Sequence, residues 1–299
     1  METEIKGTGV ALITTFLENS EVDYDGLERV VKHVTDGNVD YLVALGTTGE
    51  TVTLTAEEKL KVFNHIVEVN NNKLPIVLGH GGNNTKSLIE NLNRYDLNKV
   101  HSILSVVPPY NRPSQMGLYE HYKAFCEACS IPVILYNVPG RTGTNMEVET
   151  IMQLAEDVPN IIGVKEAGGD IMQMQRLIAA APENFVVISG DDALAVPLIS
   201  LGGVGIISVI ANAFPKQMSA AVNCALNNDF SEAQKYHFEL FELMNLTFAD
   251  GNPGGIKAML SHLKLTENIL RLPLYPVMDE ISVDIENAIA RLVIKYSKF

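Results

Sequence analysis

Positive charge is scarce in this chain. Lys and Arg number 22 against 36 Asp and Glu among 299 residues, a formal net charge of −14, and a surface of that sign repels phosphate backbones and anionic headgroups. Nucleic acid and membrane surfaces are therefore not expected as partners. Long apolar runs are missing too. No stretch reaches the ~18–20 residues that a bilayer span needs, and the opening METEIKGTGV lacks the basic-then-apolar pattern of an export leader. The expectation is a soluble, cytoplasmic protein. Cysteine is limited to three residues. Cys126 and Cys129 form a C-x-x-C, but no second pair completes a zinc site and no strand leads into it, so they read as free thiols on a helix.

Several motifs are lacking as well. GHGG and GGVGIISV are glycine-rich, but neither is a Walker loop or a dinucleotide fingerprint, and close packing at a rim accounts for both. Ser189 lies in ISGDD without the G-x-S-x-G elbow of serine hydrolases. His80 stands at a strand end with no partner histidine at ligand spacing. No metal and no bound cofactor are expected.

What the chain does have is a period. Apolar, β-branched runs alternate with longer amphipathic stretches, eight times over about 225 residues: GTGVALITTF, YLVALG, PIVLGHGG, SILSVVPP, PVILYNVP, IIGVKEA, FVVISGDD and GVGIISVIAN. Helix-like segments lie between them, such as TAEEKLKVFNHIVEVNN, with Thr55 at the N-cap and Glu58 at the capping-box position. Continuous rather than alternating apolar strands predict a parallel sheet covered on both faces. Eight β/α units predict a (β/α)8 TIM barrel over residues 1–228 that carries the active site, followed by a C-terminal helical region over 229–299. A doubly wound sheet shares the alternation, but its first strand would lead into a G-x-G-x-x-G that is missing here.

In such a barrel the site lies at the C-terminal strand ends. One of these, IIGVKEAGGD, places Lys165 inside a strand, where a buried ammonium costs several kcal/mol unless paired or neutralised. Two readings stand. The head pairs with Glu166 or Asp191, or the amine is kept partly neutral by desolvation and attacks a ketone to form a Schiff base. In the second case the protonated imine is an electron sink for loss of a proton from the adjacent carbon. Tyr136, ending the neighbouring strand, is the natural proton shuttle, and Thr47 and Tyr110 offer hydroxyls for a relay. Thr47 and Thr48 in GTTG also read as plain turn formers, although the amides of such a loop suit a small carboxylate. Arg141 is placed either to grip a second carboxylate or to face solvent.

Taken in order and at these spacings, GTTGE, YNRPSQMGLYEHY, YNVPGRTG, GVKEA and SGDD resemble the dihydrodipicolinate synthase family, from about Gly7 to the C-terminus. The resemblance implies a lyase in which Lys165 forms an imine with pyruvate and Tyr136 transfers protons within a relay with Thr47 and Tyr110. It implies that Thr48 holds the pyruvate carboxylate, that the backbone around Ile207 closes the pocket, that Gly190 lines it, and that Arg141 meets L-aspartate-β-semialdehyde. The product would be 4-hydroxy-tetrahydrodipicolinate, in the diaminopimelate route of lysine biosynthesis. It further implies a homotetramer of two tight dimers, with Tyr110 reaching the adjoining subunit's site. The alternative aldehydes are those of N-acetylneuraminate lyases and keto-deoxy-sugar-acid aldolases, which resemble the chain less at Arg141. A keto-acid sensor without activity would have no use for the relay.

One departure stands out. Many members of that family bind lysine as an inhibitor through two histidines, a glutamate, an asparagine and a tyrosine. Asn83 is kept here, but the other positions read Ala56, Lys59, Ser87 and Pro109. A bound lysine would meet a like charge, so weak or absent lysine inhibition is expected.

Overall fold

The structure is a computed structural model that describes residues 5–296. Its strands are β1 (Gly7–Ala11), β2 (Tyr41–Ala44), β3 (Ile76–Gly79), β4 (Ser102–Val106), β5 (Val133–Asn137), β6 (Ile161–Glu166), β7 (Val186–Ser189) and β8 (Gly205–Ser208). They pair in sequence order, all in parallel, and β8 returns to β1 to close a barrel. This is the expected (β/α)8 fold rather than an open doubly wound sheet. Helices α1 (Tyr24–Thr35), α2 (Ala56–Asn70), α3 (Thr85–Leu92), α4 (Gln115–Glu127), α5 (Pro139–Thr142), α6 (Val148–Asp157), α7 (Ile171–Ala180), α8 (Ala195–Ser200) and α9 (Pro215–Leu226) fill the connections.

The strands are apolar throughout because both faces are buried. Residues such as Val43, Val77, Leu104, Ile134, Ile188 and Ile207 fill the barrel interior, while their neighbours Leu42, Leu78, Ile103, Leu135, Val187 and Ile206 pack into a larger cluster with the surrounding helices. Several strands are shorter than their apolar runs suggest. In GTGVALITTF the ladder ends at Ala11, after which Ile13 N–H donates to Asn212 Oδ1 at 3.2 Å and the chain turns across the barrel mouth. The capping box at the start of α2 forms as expected, with Glu58 N–H on Thr55 Oγ1 at 3.2 Å and Thr55 N–H on Glu58 Oε2 at 2.8 Å.

Beyond α9, Asp229 caps α10 (Phe230–Leu246), followed by α11 (Gly254–His262) and α12 (Asp279–Tyr296). Leu240, Leu243, Ile256, Met259 and Ile285 join the same apolar cluster as the barrel helices, so this segment shares the barrel's core. Cys126 ends up buried in α4 and Cys129 just beyond its end, both free thiols, and burial pushes the Cys126 thiol well up. Among the described residues no helix is long and apolar enough to cross a membrane.

Candidate active site

Register decides which side chains meet. The β5–β6 ladder pairs Tyr136 with Lys165 and Asn137 with Glu166. Register partners on parallel strands face the same side, and successive residues face opposite sides. Tyr136 and Lys165 therefore both point into the barrel, with Lys165 Nζ 4.4 Å from the centre of the Tyr136 ring. Lys165 is only 4% exposed, and among the described residues its Nζ has no ion-pair partner. Glu166 faces outward instead. It accepts from Asn137 Nδ2 at 2.9 Å, Gln173 Nε2 at 2.9 Å and Gly168 N–H at 2.7 Å, while burial pushes its carboxyl pKa up. The pairing of Lys165 with Glu166 is thus ruled out by strand alternation.

Lys165 and Tyr136 open onto a cavity of about 240 Å³ that is also lined by Thr47, Thr48, Arg141, Gly190 and Asp191. Thr47 and Thr48 sit in a 3-10 turn, Thr47–Gly49, that follows β2. Arg141 lies at the mouth on α5, which begins at Pro139 directly after β5. Gly190 has a steric reason for being glycine: a Cβ there would fall 2.4 Å from Ala167 Cβ and 2.8 Å from Lys165 Cε. Among the described residues no group of three or more His, Cys, Asp or Glu side chains is arranged to hold a metal ion.

The threonine turn is anchored from below. Glu50, in left-handed conformation with φ 52°, is paired with Lys257 of α11, and the two side chains are 0% and 1% exposed. Glu50 Oε2 also accepts from Arg271 N–H at 3.1 Å, and Lys257 donates to the Ile269 carbonyl at 2.8 Å. Phe16 presents its ring to Lys257 Nζ at 4.3 Å and to the Arg271 guanidinium at 4.5 Å. Burial lowers the Lys257 pKa to about 8, against the opposing pull of Glu50. Across the mouth, buried Asp192 accepts from Ser208 Oγ at 2.6 Å and from the amides of Val209 and Ile210 at 3.1 and 3.0 Å, fixing the turn after β8.

The closed barrel and the order of its strands agree with the comparisons. The model of the dihydrodipicolinate synthetase family matches residues 4–292. The chain belongs to that family. It is 52% identical over 276 residues, 92% of this chain and 93% of the relative, to a 4-hydroxy-tetrahydrodipicolinate synthase of Phocaeicola vulgatus. The 4-hydroxy-tetrahydrodipicolinate synthase structure from Methylacidiphilum fumariolicum superposes with a TM-score of 0.95 at 37% identity, covering 98% of both chains. The chloride-inhibited dihydrodipicolinate synthase of Acinetobacter baumannii, solved in complex with pyruvate, gives 0.94 at 39% identity over 97% of this chain and 99% of that one.

Against the dihydrodipicolinate synthase pattern, two residues lie apart from the cavity within one chain. Ile207 is fully buried in β8 inside the barrel, and it is Val209, two residues on, that reaches the lining. Tyr110 is 92% exposed with φ 73°, and its N–H donates to the Thr142 carbonyl at 3.1 Å. It is not brought together with Thr47 and Tyr136 by its own chain. Conversely, the lining extends past residue 228: Phe248 and Asn252 join it from the segment between α10 and α11. The turn-forming DGNPGG around Asn252 was the available signal, but nothing in it specifies which strand ends it covers. Ala56, Lys59, Asn83 and Ser87, the positions compared with the family's lysine site, line a separate cavity of about 280 Å³. Pro109 joins its edge by accepting from Asn83 Nδ2.

Proposed function

We propose that Lys165 and Tyr136 carry out Schiff-base chemistry on pyruvate, supported above all by their placement as inward-facing register partners with Nζ 4.4 Å from the phenol ring. The reaction is the 4-hydroxy-tetrahydrodipicolinate synthase reaction, a lyase-class condensation of pyruvate with L-aspartate-β-semialdehyde. Lys165 Nζ adds to the ketone carbon, and loss of water leaves the protonated imine. Tyr136 delivers the proton that makes the hydroxyl leave and then takes one from the methyl carbon, with Thr47 relaying it. The resulting enamine attacks the aldehyde carbon, and the proton taken from the methyl carbon goes to the aldehyde oxygen as it becomes a hydroxyl. Because the product is a ring, the amine of the second substrate then replaces Lys165 on the former ketone carbon and frees the enzyme.

Thr48 and the amides of its turn hold the pyruvate carboxylate at the cavity floor, and Arg141 at the mouth grips the carboxylate of the second substrate. Gly190 leaves the room that the lysine arm needs, and Val209, two residues past Ile207, closes the far wall. The reaction runs in the cytoplasm with no metal or bound cofactor. Tyr110, exposed on a loop stiffened by the bond from Asn83 Nδ2 to Asn111 Oδ1 at 3.2 Å, completes the relay in a second copy, within a homotetramer of two tight dimers. A substrate panel tests the reading. Pyruvate consumption should depend on aspartate semialdehyde, and faster cleavage of N-acetylneuraminate or keto-deoxy-gluconate would replace it with a sugar-acid aldolase.

A further inference from the structure

Asn252 touches both ends of the cavity. Its Nδ2 donates to Thr48 Oγ1 at 3.1 Å, and its backbone carbonyl accepts from Arg141 Nη2 at 3.1 Å. The remaining polar atom, Oδ1, is buried and has no donor among the described residues, in a residue only 7% exposed that lines the cavity. A buried amide oxygen left without a donor is unfavourable, so the site favours a ligand that brings one. A hydroxyl that accepts from Asn252 keeps its own proton free to donate, the polarity that a carboxylate requires.

Resting on the function proposed above, we infer that Asn252 determines specificity for an α-amino acid aldehyde. Nδ2 aims the Thr48 proton at the pyruvate carboxylate, and Oδ1 accepts from the α-ammonium of the second substrate. Pyruvate offers no donor of its own, whereas aspartate semialdehyde carries an ammonium on the same carbon as the carboxylate assigned to Arg141. The guanidinium bonds the backbone carbonyl of the residue that carries the amide, and both line the one cavity, which suits a ligand with ammonium and carboxylate on the same carbon. Asp191 is the carboxylate that shares the cavity, and its Oδ1 holds Ala193 N–H at 2.9 Å.

The test compares aspartate semialdehyde with succinic semialdehyde, which has the same carboxylate and aldehyde and lacks the ammonium. For Asn252→Ala, the KM for aspartate semialdehyde divided by the inhibition constant of succinic semialdehyde should rise about tenfold or more, the worth of a hydrogen bond to a charged group. Asn252→Asp keeps an acceptor oxygen, now charged, and loses the donor to Thr48, so it should hold that ratio at or below wild type while raising the KM for pyruvate. Borohydride trapping of pyruvate on Lys165 shows that each variant has a folded site, and Asn252→Ser carries the test if the alanine variant traps none. A ratio unchanged within about twofold in the alanine or serine variant overturns the inference and moves the ammonium to Asp191. An equal rise of the ratio in Asn252→Asp also overturns it. No adduct in the wild type would instead refute the imine reading itself.

Discussion

Lys257→Met removes the cation that faces Glu50 at the base of the threonine turn, and the structure fixes how much that should matter. Both side chains are within 1% of complete burial, so the carboxylate left behind would keep the Arg271 amide as its hydrogen-bond donor and only the field of the Arg271 guanidinium as a counter-charge. Breaking a buried pair from one side costs about 3–5 kcal/mol, because the remaining charge is uncompensated in a low-dielectric site. Methionine matches the lysine stem in length and keeps contact with Phe16, which limits any cavity contribution. The double variant Glu50→Gln/Lys257→Met removes both charges and should recover at least about 2 kcal/mol of the loss expected from adding the singles, the signature of direct coupling. Urea unfolding at one fixed protein concentration measures all three variants, which holds any self-association constant. The loss should also reach the chemistry, because Glu50 directly follows the Thr47–Gly49 turn. A Lys257→Met cost under about 1 kcal/mol, or strict additivity in the double variant, would mean that the two charges are not directly coupled.

Three further outcomes follow from other contacts. Gly190→Ala places a methyl 2.8 Å from Lys165 Cε, so kcat/KM for pyruvate should fall at least about tenfold; a wild-type value would mean that the lysine arm has slack. The Arg271 hydrogen bonds hold the Glu58 carboxyl at about 2, below its ordinary 4.5. A depressed carboxylate stabilises the fold above its unfolded pKa and loses that contribution as pH falls toward its folded one. The pair is 15% and 26% exposed, so solvent screening leaves about 1 kcal/mol of pH-dependent stability, and the cost of Arg271→Met should shrink by about half of that amount between pH ~5 and pH ~3. A cost that stays constant across this interval contradicts the assignment. Finally, lysine should inhibit weakly or not at all, because the cavity that holds Lys59 has no carboxylate in its lining; half-loss of activity at submillimolar lysine would refute this.

The barrel was legible because both faces of its strands are buried, which turns β2, β5 and β6 into continuous apolar runs bounded by loop chemistry. Lys165 could be singled out because an ammonium inside such a run demands an explanation. Its neighbours were harder to see. Tyr136 could be chosen as the end of the adjacent strand, but that Tyr136 rather than Asn137 shares the lysine's side follows from the register, as does the outward turn of Glu166. The partner of Glu50 lies 207 residues away, and Asn252 reaches Thr48 across 204; no local period encodes a contact at that separation. Tyr110 shows the opposite limit. Its motif is legible, yet its proposed role needs a second copy of the chain.

Lys165 is proposed as the amine that binds pyruvate. Borohydride reduction in the presence of pyruvate, followed by peptide mass analysis, should place one reduced pyruvate adduct on Lys165. The adduct should be absent in Lys165→Ala, and in Tyr136→Phe it should form ~10²–10⁴-fold more slowly. An adduct on any other lysine, or none at all in the wild type, would contradict the account.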